Sequence, residues 1–124
     1  MTPKLITFDC AQTLLWTDWQ PHTFIVRCCA LAQVPVPAGA ETLYLELFRS
    51  RIAEYWASNL YKSTGHWREF WERLGQDWLS AMSLDPLLYE TISLVAEKEL
   101  FTTDSHTFEL YSDVVPCLES LKQQ

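Results

Sequence analysis

The stretch between residues 20 and 100 carries a helical pattern with three interruptions, and it constrains the fold more than any other feature. Apolar side chains recur there every three to four residues, the spacing that places them on one helix face. The interruptions are the proline-rich segment 34–39, the Ser-Thr-Gly stretch 63–65 and the segment 83–86. Proline and glycine end helices. The sequence therefore predicts a bundle of four helices joined by short breaks, with one long helix over residues 40–61.

Tryptophan supplies much of the apolar surface of these predicted helices. Four of the six tryptophans fall at spacings that put most of them on one face: Trp56, Trp67, Trp71 and Trp78. A buried aromatic side chain removes on the order of 150–250 Å² from water. We therefore expect these four side chains to pack the interior of the bundle.

The beginning of the chain has a different character. A short β-prone apolar run at residues 4–8 precedes Asp9, and a loop with Thr13 follows. An aspartate at the carboxyl end of a strand lies where open α/β sheets bind ligands, and its carboxylate can attack phosphorus or carbon. Aspartate and threonine also cap turns and helices. At this point both a catalytic and a structural role remain open.

Two segments resemble parts of the haloacid dehalogenase-like (HAD) hydrolases. Residues 9–14, which read DCAQTL, resemble the first motif of that family after its apolar strand. Residues 108–122, which read FELYSDVVPCLESLK, resemble the segment that leads from a helical cap back into the family's core. The stretch between them has the length and helical character of a cap.

The resemblance implies a fold and a domain organisation. The family is α/β with a Rossmann-type core, and this chain would be mostly α: a four-helix cap bundle of the C1 type plus one N-terminal core strand. Residues 1–15 would be the first strand and nucleophile loop, 16–107 the helical cap domain, and 108–124 the return segment and helix. The family's remaining motifs have no counterpart in these 124 residues, so we expect the rest of the core to be absent.

The same resemblance implies roles for individual residues. Asp9 would be the nucleophile and a ligand of Mg2+, the backbone carbonyl of Ala11 would be a second ligand, and Thr13 would position the loop and the phosphate. Two positions depart from the family. Ala11 stands where phosphatases usually carry a second aspartate as general acid, and Gln12 replaces the usual glycine.

Two further hypotheses concern the substrate. Trp16 and Trp19 follow the loop and would line a cavity between cap and core. In similar proteins an alanine in place of Ala11 accompanies cleavage of phosphonate C–P bonds, which also requires a desolvated cap lysine. Lys62 lies at a predicted helix end beside Ser63, which indicates a solvated side chain. We therefore do not adopt phosphonate cleavage as the prediction.

Composition limits the partners and the compartment. The net charge of −7 argues against nucleic acid and anionic membrane surfaces. The apolar run near the N-terminus is too short for a signal peptide or membrane span. Four cysteines without a CxxC pair predict reduced thiols in a cytoplasmic protein. Cys10 as a rival nucleophile would need a histidine base, and all three histidines are distant in sequence.

These observations together predict a portion of a HAD-like hydrolase that cleaves a small phosphorylated substrate with Mg2+. We expect the isolated chain to be inactive, since loss of a general acid alone costs about 10^2 to 10^4 in rate. The alternative is a non-catalytic helical interaction module, or a decayed or truncated hydrolase. A strand at residues 4–8 has no partner strand in the prediction. A homodimer or a complementing chain would complete the sheet, unless the segment packs against the helices.

Overall fold

The computed structural model describes residues 7–17, 19–61, 64–101 and 107–122, except the side chains of 59–61, 64 and 65. This part of the chain contains six helices and two short strands. In order they are β1 (Leu15–Trp16), α1 (Pro21–Leu31), α2 (Ala40–Ser50), α3 (Ile52–Tyr61), α4 (Thr64–Ala81), α5 (Leu88–Phe101), β2 (Glu109–Leu110) and α6 (Val114–Lys122). The prediction of a mostly helical chain is confirmed. No Rossmann-type core is seen among the residues described.

The chain divides into two compact units. One, which we call the terminal unit, comprises Met1–Trp19 and Leu100–Gln124, and the other, the helical unit, comprises Gln20–Glu99. The sequence placed the corresponding boundaries after residues 15 and 107. None of the helices in the described ranges has the length and apolarity needed to cross a membrane.

The helical unit holds five helices where the sequence predicted four. The prediction of one long helix over residues 40–61 is wrong, because α2 ends at Ser50 and α3 begins at Ile52. Arg51 between them leaves the helical conformation, with φ −113° and ψ 15°. The Ser50 hydroxyl donates a hydrogen bond of 2.7 Å to the carbonyl of Leu47. Such back-bonding competes with the helical ladder and bends helices.

Two of the three predicted breaks are confirmed, and they share one geometry. After α1 and α4, Gln33 and Ser83 adopt left-handed backbones with φ of 57° and 59°. The next N–H, of Val34 or Leu84, then donates to the carbonyl five residues earlier at 2.9 Å. This is the Schellman motif, which satisfies carbonyls at a helix end. The third break, 63–65, lies partly outside the described residues.

Trp78 of α4 lies at the centre of the helical unit, where it has no exposed surface. Its indole N–H donates a hydrogen bond of 2.8 Å to the carbonyl of Ala40, and the ring meets Tyr44 edge to face at 5.3 Å. Trp71 is half-buried and stacks on Phe48. The expected burial is therefore confirmed for Trp78 and holds in part for Trp71.

The other two tryptophans do not follow the prediction. Trp56 on α3 and Trp67 on α4 expose 54% and 40% of their surface. Helical spacing fixes which residues share a face, but only the packing of neighbouring helices decides which face is covered. The expectation that all four tryptophans pack the interior is wrong for these two.

The terminal unit is organised by a pair of strands that the sequence did not predict. β1 and β2 run antiparallel, with Leu15 opposite Leu110 and Trp16 opposite Glu109. The predicted strand over residues 4–8 is not seen where it can be examined: residues 7 and 8 are outside any strand, and Phe8 is 43% exposed. Residues 4–6 lie outside the described ranges. The predicted return helix corresponds to α6.

Candidate active-site loop

Residues 10–15 form a hydrogen-bonded turn that ends at Leu15, the first residue of β1. The carbonyl of Cys10 accepts hydrogen bonds from the N–H groups of Leu14 at 2.9 Å and Leu15 at 3.1 Å. In the opposite direction, the N–H of Gln12 donates to the carbonyl of Leu15 at 2.8 Å. These bonds give the loop a defined backbone although its residues are largely exposed to solvent.

Gln12 has a left-handed backbone, with φ of 61°. Only glycine adopts this conformation without a steric penalty, because its Cβ is missing. The position is the one where the HAD motif carries glycine. The side chain in this sequence thus departs from the motif, while the backbone conformation is one that suits a glycine.

Asp9 lies at the start of the loop with an exposed side chain. Its Oδ1 accepts a hydrogen bond of 2.9 Å from the N–H of Cys10. This bond orients the carboxylate locally and leaves it accessible to a ligand in solvent. Aspartates in ordinary turns make similar contacts with the following backbone, so this geometry is compatible with the catalytic and the structural role.

The described residues do not by themselves fit a resident Mg2+. The resemblance assigns the carboxylate of Asp9 and the carbonyl of Ala11, and both residues are exposed. Mg2+ takes six oxygen ligands in near-octahedral geometry. Within the described ranges there is no group of three or more side chains of the metal-binding types. Any further protein ligands would have to come from outside this part of the chain.

Thr13 is the other loop residue that the sequence singled out, and it too is exposed. Its N–H lies 3.4 Å from the carbonyl of Cys10, which is a long hydrogen bond. The turn brings Asp9 and Thr13 into one short loop, on either side of Gln12. Their chemical roles remain predictions.

A hydrogen-bond network connects the loop to both segments that flank the helical unit in sequence. The hydroxyl of Thr17 donates to the carbonyl of Thr107 at 2.8 Å and accepts from the N–H of Trp19 at 3.0 Å. The side-chain amide of Gln12 donates to the carbonyl of Thr17 at 2.7 Å. We call β1, β2, Thr17 and Thr107 together the clasp.

Tyr111 adds the second connection between the loop and the clasp. Its hydroxyl lies 3.4 Å from Oε1 of Gln12, which is a long and weak hydrogen bond, and its N–H donates to the carbonyl of Leu14 at 3.2 Å. Sequence reasoning assigned no role to Gln12 beyond its departure from the motif, and it missed Thr17 and Thr107. The Thr17–Thr107 and Gln12–Tyr111 contacts join residues 90 and 99 positions apart, and local patterns do not reveal such pairs.

The two tryptophans proposed to contact substrate both belong to the terminal unit. Trp16 lies on β1 opposite Glu109 and exposes 40% of its surface. Trp19 is half-buried, and its N–H is held by the Thr17 hydroxyl. They lie on either side of Thr17 in the sequence, close to the loop along the chain. Contact with a substrate stays a prediction for both.

Comparisons with models of known protein families, with curated proteins and with solved structures found no match for this chain. The likeness to the HAD hydrolases therefore rests on the residues of the two motifs.

Proposed function

We propose that the chain is a portion of a HAD-like hydrolase in which Asp9 is the nucleophile for hydrolysis of a phosphoester, with Mg2+ as cofactor. The isolated chain is inactive in this proposal. The observation that carries it is the left-handed backbone of Gln12, at the motif's glycine position between Asp9 and Thr13. Gln33 and Ser83 have left-handed backbones at helix ends, so the support from Gln12 lies in the coincidence of this conformation with the motif's glycine position.

The organisation of the chain is a second line of support. The helical unit is inserted in sequence between β1 and β2, which pair with each other. When a cap is inserted directly after the first motif, the chain must leave the core and return to it at neighbouring points. Two paired strands hold these points close together. α6 follows β2 at the place of the family's return helix.

The proposed chemistry assigns the first step to Asp9. A carboxylate oxygen attacks phosphorus, the bond from phosphorus to the leaving oxygen breaks, and water then hydrolyses the aspartyl phosphate. Thr13 positions the phosphate, and the carbonyl of Ala11 together with Asp9 would hold Mg2+ if ligands from outside the described residues completed the site. Because Ala11 brings no acid to protonate the leaving oxygen, this loop favours substrates whose leaving group is stable as an anion.

The proposal includes a partner that completes the core. Seven of the thirteen large apolar side chains that are exposed among the described residues belong to the terminal unit. They are Phe8, Trp16, Phe101, Phe108, Leu110, Val115 and Leu118. Such a concentration of exposed apolar surface indicates a contact site. A complementing chain or a second copy of this chain would cover it, in a cytoplasmic protein that acts on a small phosphorylated substrate and binds neither nucleic acid nor membrane.

The test is hydrolysis of p-nitrophenyl phosphate with Mg2+ and with EDTA, using the polypeptide as its gene encodes it. If the gene product carries the remaining motifs, we expect turnover that Asp9→Asn lowers by on the order of 10^4 or more. If it lacks them, we expect no turnover. Asp113→Asn is the control, because Asp113 is another exposed carboxylate of the terminal unit. Equal turnover above background in wild type and Asp9→Asn contradicts the proposal.

The second candidate is a non-catalytic helical interaction module, and the exposed aromatic side chains of the helical unit favour it. Trp56 and Trp67 are the relevant residues, with Ile52 also 40% exposed on α3. Light scattering on the purified chain measures self-association. A dimer that Trp56→Ser and Trp67→Ser convert to a monomer, together with no Asp9-dependent turnover, would favour the module over the hydrolase.

A further inference from the structure

Gln12 combines an unfavourable backbone with a side chain that reaches two other segments. A left-handed φ is uncommon for a residue that is not glycine. A chain that needed only the turn would be better served by glycine, which adopts this conformation freely. The side chain of Gln12 makes contacts that glycine could not make.

The contacts show what the side chain contributes. Its Nε2 donates a hydrogen bond of 2.7 Å to the carbonyl of Thr17, and its Oε1 accepts from the hydroxyl of Tyr111. Thr17 is the residue whose hydroxyl binds the carbonyl of Thr107. One amide group thus joins the loop of Asp9 to the segments before and after the helical unit.

We infer that Gln12 is a positioning residue that couples the Asp9 loop to the clasp, so that the two open and close as one structure. Its importance for catalysis rests on the proposed function, since Asp9 and Thr13 lie within three residues of it. The coupling itself is a property of the terminal unit and holds whether or not the chain turns over substrate. A shift of either flanking segment changes the position of the Thr17 carbonyl, and the loop follows.

Amide hydrogen exchange measured residue by residue tests the coupling. The reporters are the amides of Leu14 in the loop, of Leu15 where the loop enters β1, and of Tyr111 beside the clasp, all of which donate hydrogen bonds. The reference is the amide of Leu84, which closes the Schellman motif of α4 in the helical unit. Two variants remove the side-chain hydrogen bonds of Gln12 to Thr17 and Tyr111. Gln12→Gly also relaxes the backbone, and Gln12→Met keeps the length of the side chain.

The expected result is faster exchange of all three reporters in both variants, with Leu84 unchanged. The increase is about fivefold in Gln12→Met, for the loss of one hydrogen bond of ordinary strength, and smaller in Gln12→Gly, because the relaxed backbone offsets part of that loss. The matched control is Gln33→Gly. Gln33 has the same left-handed backbone at the end of α1. Within the described part of the chain it makes backbone hydrogen bonds only. In this variant the reporters should exchange as in wild type.

A double-mutant cycle separates coupling from a merely structural role. Thr17→Val removes the hydroxyl that binds Thr107 and keeps the carbonyl that binds Gln12. We expect Thr17→Val to accelerate exchange at Leu14 in the wild-type background and to have a much smaller effect in Gln12→Gly. Effects that add independently would overturn the inference.

Unchanged or slower exchange of the reporters in both variants would also overturn it, because Gln12 would then be only a turn residue. If Gln12→Met destabilises the whole chain, Leu84 exchanges faster as well and the Gln12→Gly data decide the question. These measurements need no turnover. Failure of the coupling and failure of the hydrolase proposal are therefore distinguishable.

Discussion

Cys28 and Cys29 are neighbours on α1, and neither side chain has any exposed surface. Burial raises the pKa of Cys28 from its ordinary value of 9.0 to about 12, and that of Cys29 to about 11. Burial disfavours the thiolate, which is the reactive form. By contrast, Cys10 and Cys117 are exposed. Two of the four thiols are thus buried and unreactive, and the other two are accessible to solvent.

We predict that two thiols react with a disulfide reagent at pH 8 in the native protein, and that the other two react only on unfolding. Cys10→Ser with Cys117→Ser should leave no thiol that reacts in the native state. The measurement is a thiol titration by absorbance, with and without guanidinium. Four thiols reacting at one rate under native conditions would contradict the buried environment of Cys28 and Cys29.

The same thiols make stability depend on alkaline pH. Their pKa values in the folded chain are above the ordinary value of 9.0, so folding favours the protonated form. Their contribution is complete below about pH 9 and is lost as pH rises through the folded pKa values. Denaturant unfolding at pH 8 and pH 10.5 should show a lower free energy of unfolding at the higher pH, and Cys28→Ala with Cys29→Ala should reduce the difference.

For single residues, the sequence predicted which side chains belong to the loop better than it predicted their backbone conformations and contacts. The DCAQTL motif drew attention to Asp9 and Thr13, and the structure places both in one short loop. The left-handed backbone of Gln12 could not be predicted, because no glycine marks it. Its partner Thr17 is only five residues away, but Tyr111 is 99 residues away and becomes its neighbour only through long-range closure of the chain.

Between elements, α4 and α5 approach each other closely at Gly75. A Cβ added there would overlap the ring of Tyr89. Glycine inside a helix costs roughly 1 kcal/mol relative to alanine, so this glycine weakens α4 locally. The benefit is the close approach of Tyr89, and burial raises the pKa of its phenol well above the ordinary value.

We predict that Gly75→Ala destabilises the chain by about 1–3 kcal/mol, since overpacking outweighs the gain in helix propensity. Tyr89→Leu in the same background should recover part of the loss, because the ring that the added methyl would meet is gone. Thermal unfolding of the two single variants and the double variant gives the coupling. A Gly75→Ala variant more stable than wild type would contradict the packing.

Element boundaries were predictable where the chain itself signals them. Pro35 and Pro86 follow the ends of α1 and α4 and mark both breaks. The end of α2 at Ser50 has no proline or glycine beside it. The helical spacing of apolar residues continues across this point, and the sequence therefore predicted one long helix. β1 and β2 have two residues each, too few for an alternating pattern to be recognised.

For the whole molecule, the division into two units leads to a folding prediction. The helical unit contains most of the buried apolar residues, including Trp78, Phe70, Leu74 and Ile92. A polypeptide of residues 20–99 should therefore fold alone, with a helical circular dichroism spectrum and a cooperative thermal transition. Trp78→Ala should abolish that transition, since truncating a buried tryptophan costs about 3–5 kcal/mol. A wild-type fragment with no cooperative transition would contradict the prediction.

The strand pair has a consequence for how such a chain can arise. Trp16 and Glu109 are cross-strand partners, so everything from residue 17 to residue 108 is inserted between two positions that lie about 5 Å apart. A two-residue turn could join them directly and leave an ordinary β-hairpin. In evolutionary terms, the helical unit is therefore a segment that a shorter ancestor could acquire, exchange or lose without any change in the register of its strands.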